Sequence, residues 1–226
     1  MKKIAIILLS ITLFTGCKSN KKEEAVTETS VDDRSVQEKI ADAYGIKNWH
    51  KVNEIRFTFN VDRPDNHYER AWSWKPKTAD VTVKTEEGEV RFNTKNLTEA
   101  DMVSDQRFIN DKYWLLAPFQ LIWDRTATIT NQDSIQSPIG GEMLGKLTIT
   151  YPSEGGYTPG DAYDFFYDKD YLIKEWVFRK SNAAEPSMIT TWEKNEDFNG
   201  LTIATSHYSP DRELQLYFTD IEVITN

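Results

Sequence analysis

The sequence predicts an α+β domain built on one large, strongly curved antiparallel sheet of about eleven strands with helices against one face. Three observations lead there. Apolar residues recur with a period of two in one run after another, from "VNEIRFTFNV" to "LQLYFTDIEVIT". Strand-like and helix-like segments do not alternate, which disfavours a parallel doubly wound sheet. Aromatic residues reach 12%, as 7 Trp, 10 Tyr and 11 Phe, and such residues favour strands and fill either a large core or an aromatic-lined cavity.

The domain opens with a helix in "SVQEKIADAYGIKNW". Ser35 and Glu38 have the spacing of a capping box, Gly45 supplies the stop, and Val36, Ile40, Ala43 and Tyr44 share one apolar face. The period then changes to two: Ile55, Phe57, Phe59 and Val61 alternate with Arg56, Thr58 and Asn60. "ERAWSWKP", "ADVTVKT" and "EVRFNT" follow as strands, with Gly88 in the break "TEEGE" where a hairpin loop wants a left-handed residue. These four strands read as an antiparallel meander. Ser104 to Asp124 is too densely apolar for a surface helix, and Pro118 ends or kinks it, so a helix is expected to about Leu116 with a buried turn after it. "TATITN", "KLTITYP", "AYDFFYD", "LIKEWVFRK", "SMITTWEK", "LTIATSHY" and "LQLYFTDIEVIT" complete the strands, parted by turns such as "SEGGYTPGD", "NEDFNG" and "SPDRE".

Ahead of the domain, Lys2 and Lys3 precede an apolar run from Ile4 to Gly16, the charged and hydrophobic regions of a secretory signal. These thirteen residues are too few for a permanent span, which needs about 20 helical residues. Cys17, the only cysteine, cannot form an intramolecular disulfide and has no partner for a metal. With Thr15 and Gly16 before it, it resembles the lipobox of bacterial lipoproteins, which implies removal of residues 1–16, acylation of Cys17 and anchoring at the outer membrane. Phe14 stands where that pattern usually has Leu. Several acyl chains on one residue would hold the protein on the membrane, since each buried methylene contributes about 0.8 kcal/mol. Residues 17–34 carry almost no bulky apolar side chain and are expected to form a flexible tether to a single domain over 35–226. "KKEE" at Lys21 to Glu24 resembles the acidic export signal of Bacteroidetes surface lipoproteins, and is equally a solvated charge run.

The net charge is −9, and −11 once Lys2 and Lys3 are removed. With no basic stripe, nucleic acid is excluded as a partner and so is charge-driven adsorption to an anionic membrane. The domain is expected to be a monomer.

The order helix, four-strand meander, apolar helical segment "YWLLAPFQL" and long antiparallel run, with "GGYTPGD" and "IKEWVFRK", resembles flavobacterial lipoproteins grouped with the LolA and LolB lipoprotein carriers. The resemblance implies an unclosed barrel whose concave apolar face, covered by helices, accepts acyl chains. The Cys17 anchor makes the chain more similar to LolB than to the free carrier LolA.

Catalytic patterns are sparse. His50, His67 and His207 fall in turns or at strand ends, and no G-x-S-x-G, H-x-x-x-H or H-E-x-x-H string accompanies them. The pairs Asp161 with Asp164 and Asp168 with Asp170 read as turn carboxylates rather than glycosidase acids. "SEGGYTPGD" lacks the lysine and following helix of a phosphate loop and reads as a wide hairpin turn or a pocket rim. The expectation is therefore a binding domain, not an enzyme, with no cofactor and no metal. Its ligand would be an acyl chain or a lipoprotein's lipid, held between the concave face and the segment Tyr113 to Trp123. Phe57, Phe59, Trp72, Trp74, Trp114, Phe119 and Trp176 are the expected walls. A closed interior would use the same residues as core. A shallow aromatic groove would suit a glycan, and a partner-binding envelope lipoprotein with no small ligand is the third alternative.

Overall fold

The first helix forms where its capping pattern predicts it. In the computed structural model, which describes residues 32–155 and 157–226, α1 spans Val36–Ala43 with Ser35 as N-cap. The Ser35 amide donates to Glu38 Oε2 at 2.8 Å, closing the capping box. The signal segment, Cys17, "KKEE" and Gly156 lie outside the described residues. Arg34–Asn226 forms one compact unit, and every described core residue lies within it.

Gly45 ends the helix with φ +85°, and a Cβ built on it would sit 2.1 Å from the carbonyl oxygen of Gly200. Tyr44 O accepts from Thr202 N at 3.0 Å and Asn48 Nδ2 donates to Gly200 O at 2.9 Å, so backbone contact here docks the N-terminal turn onto a distant hairpin. Gly45→Ala is therefore expected to lower stability by at least about 1 kcal/mol, through both the positive φ and the lost approach. Chemical denaturation would read this as a lower midpoint at unchanged slope.

The strands are β1 (Val52–Arg63), β2 (Asn66–Lys75), β3 (Asp80–Thr85) and β4 (Gly88–Asn93), then after helix α2 (Met102–Trp123) β5 (Thr128–Gln136), β6 (Met143–Thr150), β7 (Ala162–Tyr167), β8 (Ile173–Arg179), β9 (Met188–Thr191), β10 (Glu193–Phe198), β11 (Leu201–Tyr208) and β12 (Gln215–Thr225). All pairings are antiparallel. The class is α+β as predicted, with unclosed sheets, but the single sheet resolves into two. One has seven strands in the order β10-β11-β12-β1-β2-β3-β4, and the other five in the order β5-β6-β7-β8-β9.

The physical reason lies in "SMITTWEK", predicted as one strand. Up to Thr191 it pairs with β8, and from Glu193 it pairs with β11, so the chain changes sheets at Trp192. The Trp192 amide still donates to Lys174 O at 2.7 Å on one side, while Tyr208 N donates to Thr191 Oγ1 at 3.0 Å on the other. A strand that switches sheets makes a corner, and this one adds the twelfth strand.

The segment predicted as helix then buried turn is helical through Trp123, with a kink at Leu116 (φ −128°, ψ 25°). Pro118 removes one backbone donor, and the distortion two residues before it relieves the ring's clash while the helix resumes. From Trp114 to Leu121 the helix is buried all round, whereas before that only Asp105, Phe108 and Asp111 are buried. It lies across the inner side of both sheets: Phe108 meets Trp72 at 5.3 Å between ring centroids, and Trp114 meets Trp176 at 4.3 Å. Asp111, fully buried, accepts both Arg70 Nε and Nη2 at 2.7 Å and Trp72 Nε1 at 2.9 Å.

Candidate functional site

A cleft of about 710 Å³ opens between α2, the inner face of the five-stranded sheet and the loop that joins β6 to β7. One face of α2 supplies Gln106, Ile109, Asn110, Tyr113, Trp114 and Gln120, at helical spacing. The sheet supplies Tyr163 from β7, Trp176 and Phe178 from β8 and Met188 from β9. Tyr163 lies 4.8 Å from Tyr113, 5.4 Å from Trp176 and 5.2 Å from Phe178 between centroids, so these rings form one continuous aromatic wall.

The loop is strapped to both ends of α2. Tyr151 Oη donates to Asp124 Oδ2 at 2.5 Å just past the helix C-terminus, and Tyr157 Oη donates to Asp105 Oδ2 at 2.7 Å in its first turn. Gly155 and Gly160, with φ of +83° and +73°, turn the backbone between them, and Gly160 N closes the loop onto Pro152 O at 2.7 Å. Burial, reinforced by Asp124, pushes the Tyr151 hydroxyl far above its ordinary range. The hydrogen bond to Asp105 pushes Tyr157 up to about 12. Burial likewise raises Tyr113 and Tyr163, so these phenols stay neutral donors at neutral pH. Lys112 also lines the cleft, with Nζ 5.6 Å from the centroid of Trp74 and 5.7 Å from that of Phe108. Burial lowers its pKa.

Of the expected walls, Trp114 and Trp176 line this cleft. Phe57, Phe59, Trp72 and Phe119 are packed inside the core with at most 3% of their surface exposed. Phe57 and Phe59 face Phe218 across β12, and Phe119 packs on Trp49 and Trp123. Trp74 is half-buried between Trp49 and Phe108. Tyr113, Tyr151, Tyr157, Tyr163 and Phe178 were not among the expected walls. Every residue of "AYDFFY" is buried, so the run offers no alternation from which to choose a face.

The three histidines stand apart. His50 Nδ1 lies 2.7 Å from Lys47 O in an exposed turn. His67 lies 2.5 Å from Asp62, whose hydrogen bond raises its pKa. His207 is fully buried on β11, between Trp114 and Trp192. Asp161 accepts Ser181 N, Asp164 accepts Arg179 Nε and Thr148 Oγ1, and Asp168 accepts the amides of Asp170 and Leu172, so all three carboxylates bind loop or strand partners. Among the described residues no group of three or more His, Cys, Asp or Glu could hold a metal ion, and no helix is long and apolar enough to cross a membrane.

No family model matches the chain, and no curated protein matches it significantly. Solved structures similar to it include a DUF1329 family protein from Desulfovibrio piger, 11% identical with a TM-score of 0.46, over 83% of this chain and 92% of that one. A LolA superfamily protein from Nitrosomonas europaea is 11% identical with a TM-score of 0.44, over 84% and 93% of the two chains. A domain from Vibrio parahaemolyticus described as an outer membrane lipoprotein-sorting protein is 11% identical with a TM-score of 0.43, over 84% and 94%. These are likenesses of arrangement, and what the chain does is read from its own cleft.

Proposed function

We propose that the domain binds a hydrophobic ligand, an acyl chain or the lipid of a lipoprotein, in the cleft between α2 and the five-stranded sheet, and that it binds without catalysing a reaction. The observation that carries this reading is the continuous aromatic wall of Tyr113, Tyr163, Trp176 and Phe178 around a space of about 710 Å³, the size of a small-molecule site. Lipid on Cys17 anchors the chain at the outer membrane, as a monomer, and the tether brings the cleft to acyl chains at raised effective concentration.

A glycan is the second reading, favoured by the amides of Gln106, Asn110 and Gln120 beside the aromatic wall. Native mass spectrometry of residues 34–226 purified from cells separates the two, since co-purified lipid is expected and co-purified sugar would replace the first reading with the second. Ile109 is half-buried on the cleft wall, so Ile109→Trp is expected to fill the space and weaken acyl binding at least about tenfold while leaving the denaturation midpoint nearly unchanged. Undiminished binding in that variant would place the ligand elsewhere.

A further inference from the structure

The wall of the cleft described above holds two hydrogen-bond donors that have no acceptor. Trp176 lines it from β8 and is only 3% exposed, and Tyr113 lines it from α2. Among the described residues neither Trp176 Nε1 nor Tyr113 Oη, both buried atoms, has a hydrogen-bond partner. They belong to one stretch of wall, because the ring of Tyr163 lies 4.8 Å from Tyr113 and 5.4 Å from Trp176 between centroids. An indole N–H can only donate, and burial keeps the Tyr113 phenol protonated. A buried donor left unpaired lowers stability, and an acceptor that arrives with a ligand recovers the loss as binding.

The carboxylates around the cleft are engaged elsewhere. Tyr151 Oη stands beside Tyr113 outside hydrogen-bond geometry and gives its own hydrogen to Asp124 Oδ2, while Asp161 takes the Ser181 amide. The acceptor that suits the two donors is uncharged. Asp124, Glu154 and Asp161 line the cleft, so an entering carboxylate or phosphate would meet like charge in a partly desolvated space. Lys112, the one cation among the described lining residues, already faces Asp105 and Asp124. A hydroxyl is uncharged too, but it brings a further donor to a wall that has donors to spare. A carbonyl oxygen brings two lone pairs and no hydrogen.

We infer that the ligand of this cleft is an acyl ester or amide, whose carbonyl group is recognised by Trp176 Nε1 with Tyr113 Oη as the second donor on the same wall. The apolar chain of that ligand lies along the rings of Tyr163, Trp176 and Phe178. The inference rests on the hydrophobic-ligand reading and adds the linkage by which the chain is recognised. A free fatty acid, ionised at neutral pH, is then a poor ligand, and so is a chain that carries no carbonyl.

The test is a tryptophan-fluorescence titration of residues 34–226 with three amphiphiles of equal chain length below their micelle concentrations: a 1-monoacylglycerol, the 1-O-alkylglycerol that differs from it only by lacking the carbonyl, and the free fatty acid. The ester should bind at least about fivefold more tightly than the ether, and the fatty acid more weakly than the ester at neutral pH. Trp176→Phe should bring the ratio of ester to ether affinity close to one, and taking the ratio cancels any general weakening of the wall. Tyr113→Phe, which removes a hydroxyl without a partner in the free protein, should lower the ratio at an unchanged or raised denaturation midpoint. Equal affinity for ester and ether in the parent, or a ratio that survives both substitutions, would overturn this inference and leave the hydrophobic-ligand reading standing. A fatty acid bound as tightly as the ester would overturn it in the same way. Binding of none of the three would overturn both readings.

Discussion

Asp111→Ala is expected to lower the stability of the domain by about 3–5 kcal/mol, the largest loss of any single substitution considered, because it leaves a guanidinium buried without its partner. Asp111 is fully buried on α2 and receives two hydrogen bonds from Arg70 and one from Trp72, so it pins the central helix to the seven-stranded sheet. The Arg70 guanidinium lies between the rings of Phe59 and Tyr68, 5.3 and 5.1 Å from their centroids, and has no other carboxylate to turn to among the described residues. Equilibrium urea unfolding reads the effect as a fall in midpoint. Replacing both partners, as Arg70→Met with Asp111→Leu, is expected to recover most of the loss, since the penalty belongs chiefly to the stranded charge. A single variant as stable as the parent would mean that α2 is held by its apolar contacts alone.

The second large effect follows from His207. The ring is fully buried against Trp114 and Trp192, at 5.3 and 4.2 Å between centroids, with Nδ1 3.3 Å from Thr191 O and Nε2 without a hydrogen-bond partner. Burial pushes its pKa down to about 3, against roughly 6.5 in the unfolded chain. The unfolded state therefore binds a proton between those values that the folded state refuses. The folded state is unaffected above pH ~6.5 and loses about 1.4 kcal/mol per pH unit as the pH falls toward about 3. Between pH 7 and pH 5 the loss is about 2 kcal/mol from this group alone. His207→Leu removes the titration, so the difference between parent and variant stability curves isolates it from the carboxylates. Parallel curves for the two proteins would show that the ring takes up a proton while still folded.

Much of the fold was legible because its determinants are local. The Ser35 and Glu38 capping box, the Gly45 stop and the alternation through Ile55, Phe57, Phe59 and Val61 each depend on residues a few positions apart. The division into two sheets was not, since a strand that changes partners at Trp192 has the same alternation as one that does not. The continuation of α2 past Pro118 was missed for a related reason: the ring removes one donor, and a single distorted residue at Leu116 absorbs the conflict. The seven residues named from the sequence as walls are divided by the fold between the cleft and the packed core. Trp114 and Trp176 line the cleft, while Phe57 and Phe59 alternate correctly and still face packed core, because period-two patterning marks what is buried and not whether the buried space is filled. Tyr151 and Tyr157 belong to the loop "YPSEGGYTPGD", where only the contact with Asp124 and Asp105 across the folded chain reveals their role.

The central claim, that the aromatic cleft receives an apolar chain, is tested most directly with an alkyl glucoside brominated along its chain, since bromine quenches tryptophan only on contact. Trp114 and Trp176 line the cleft, whereas Trp49, Trp72, Trp74, Trp123 and Trp192 do not. Saturable quenching is expected in the parent domain, and its loss in a Trp114→Phe, Trp176→Phe variant that still unfolds cooperatively. Quenching that persists after both tryptophans are removed, or none in the parent, would contradict the account.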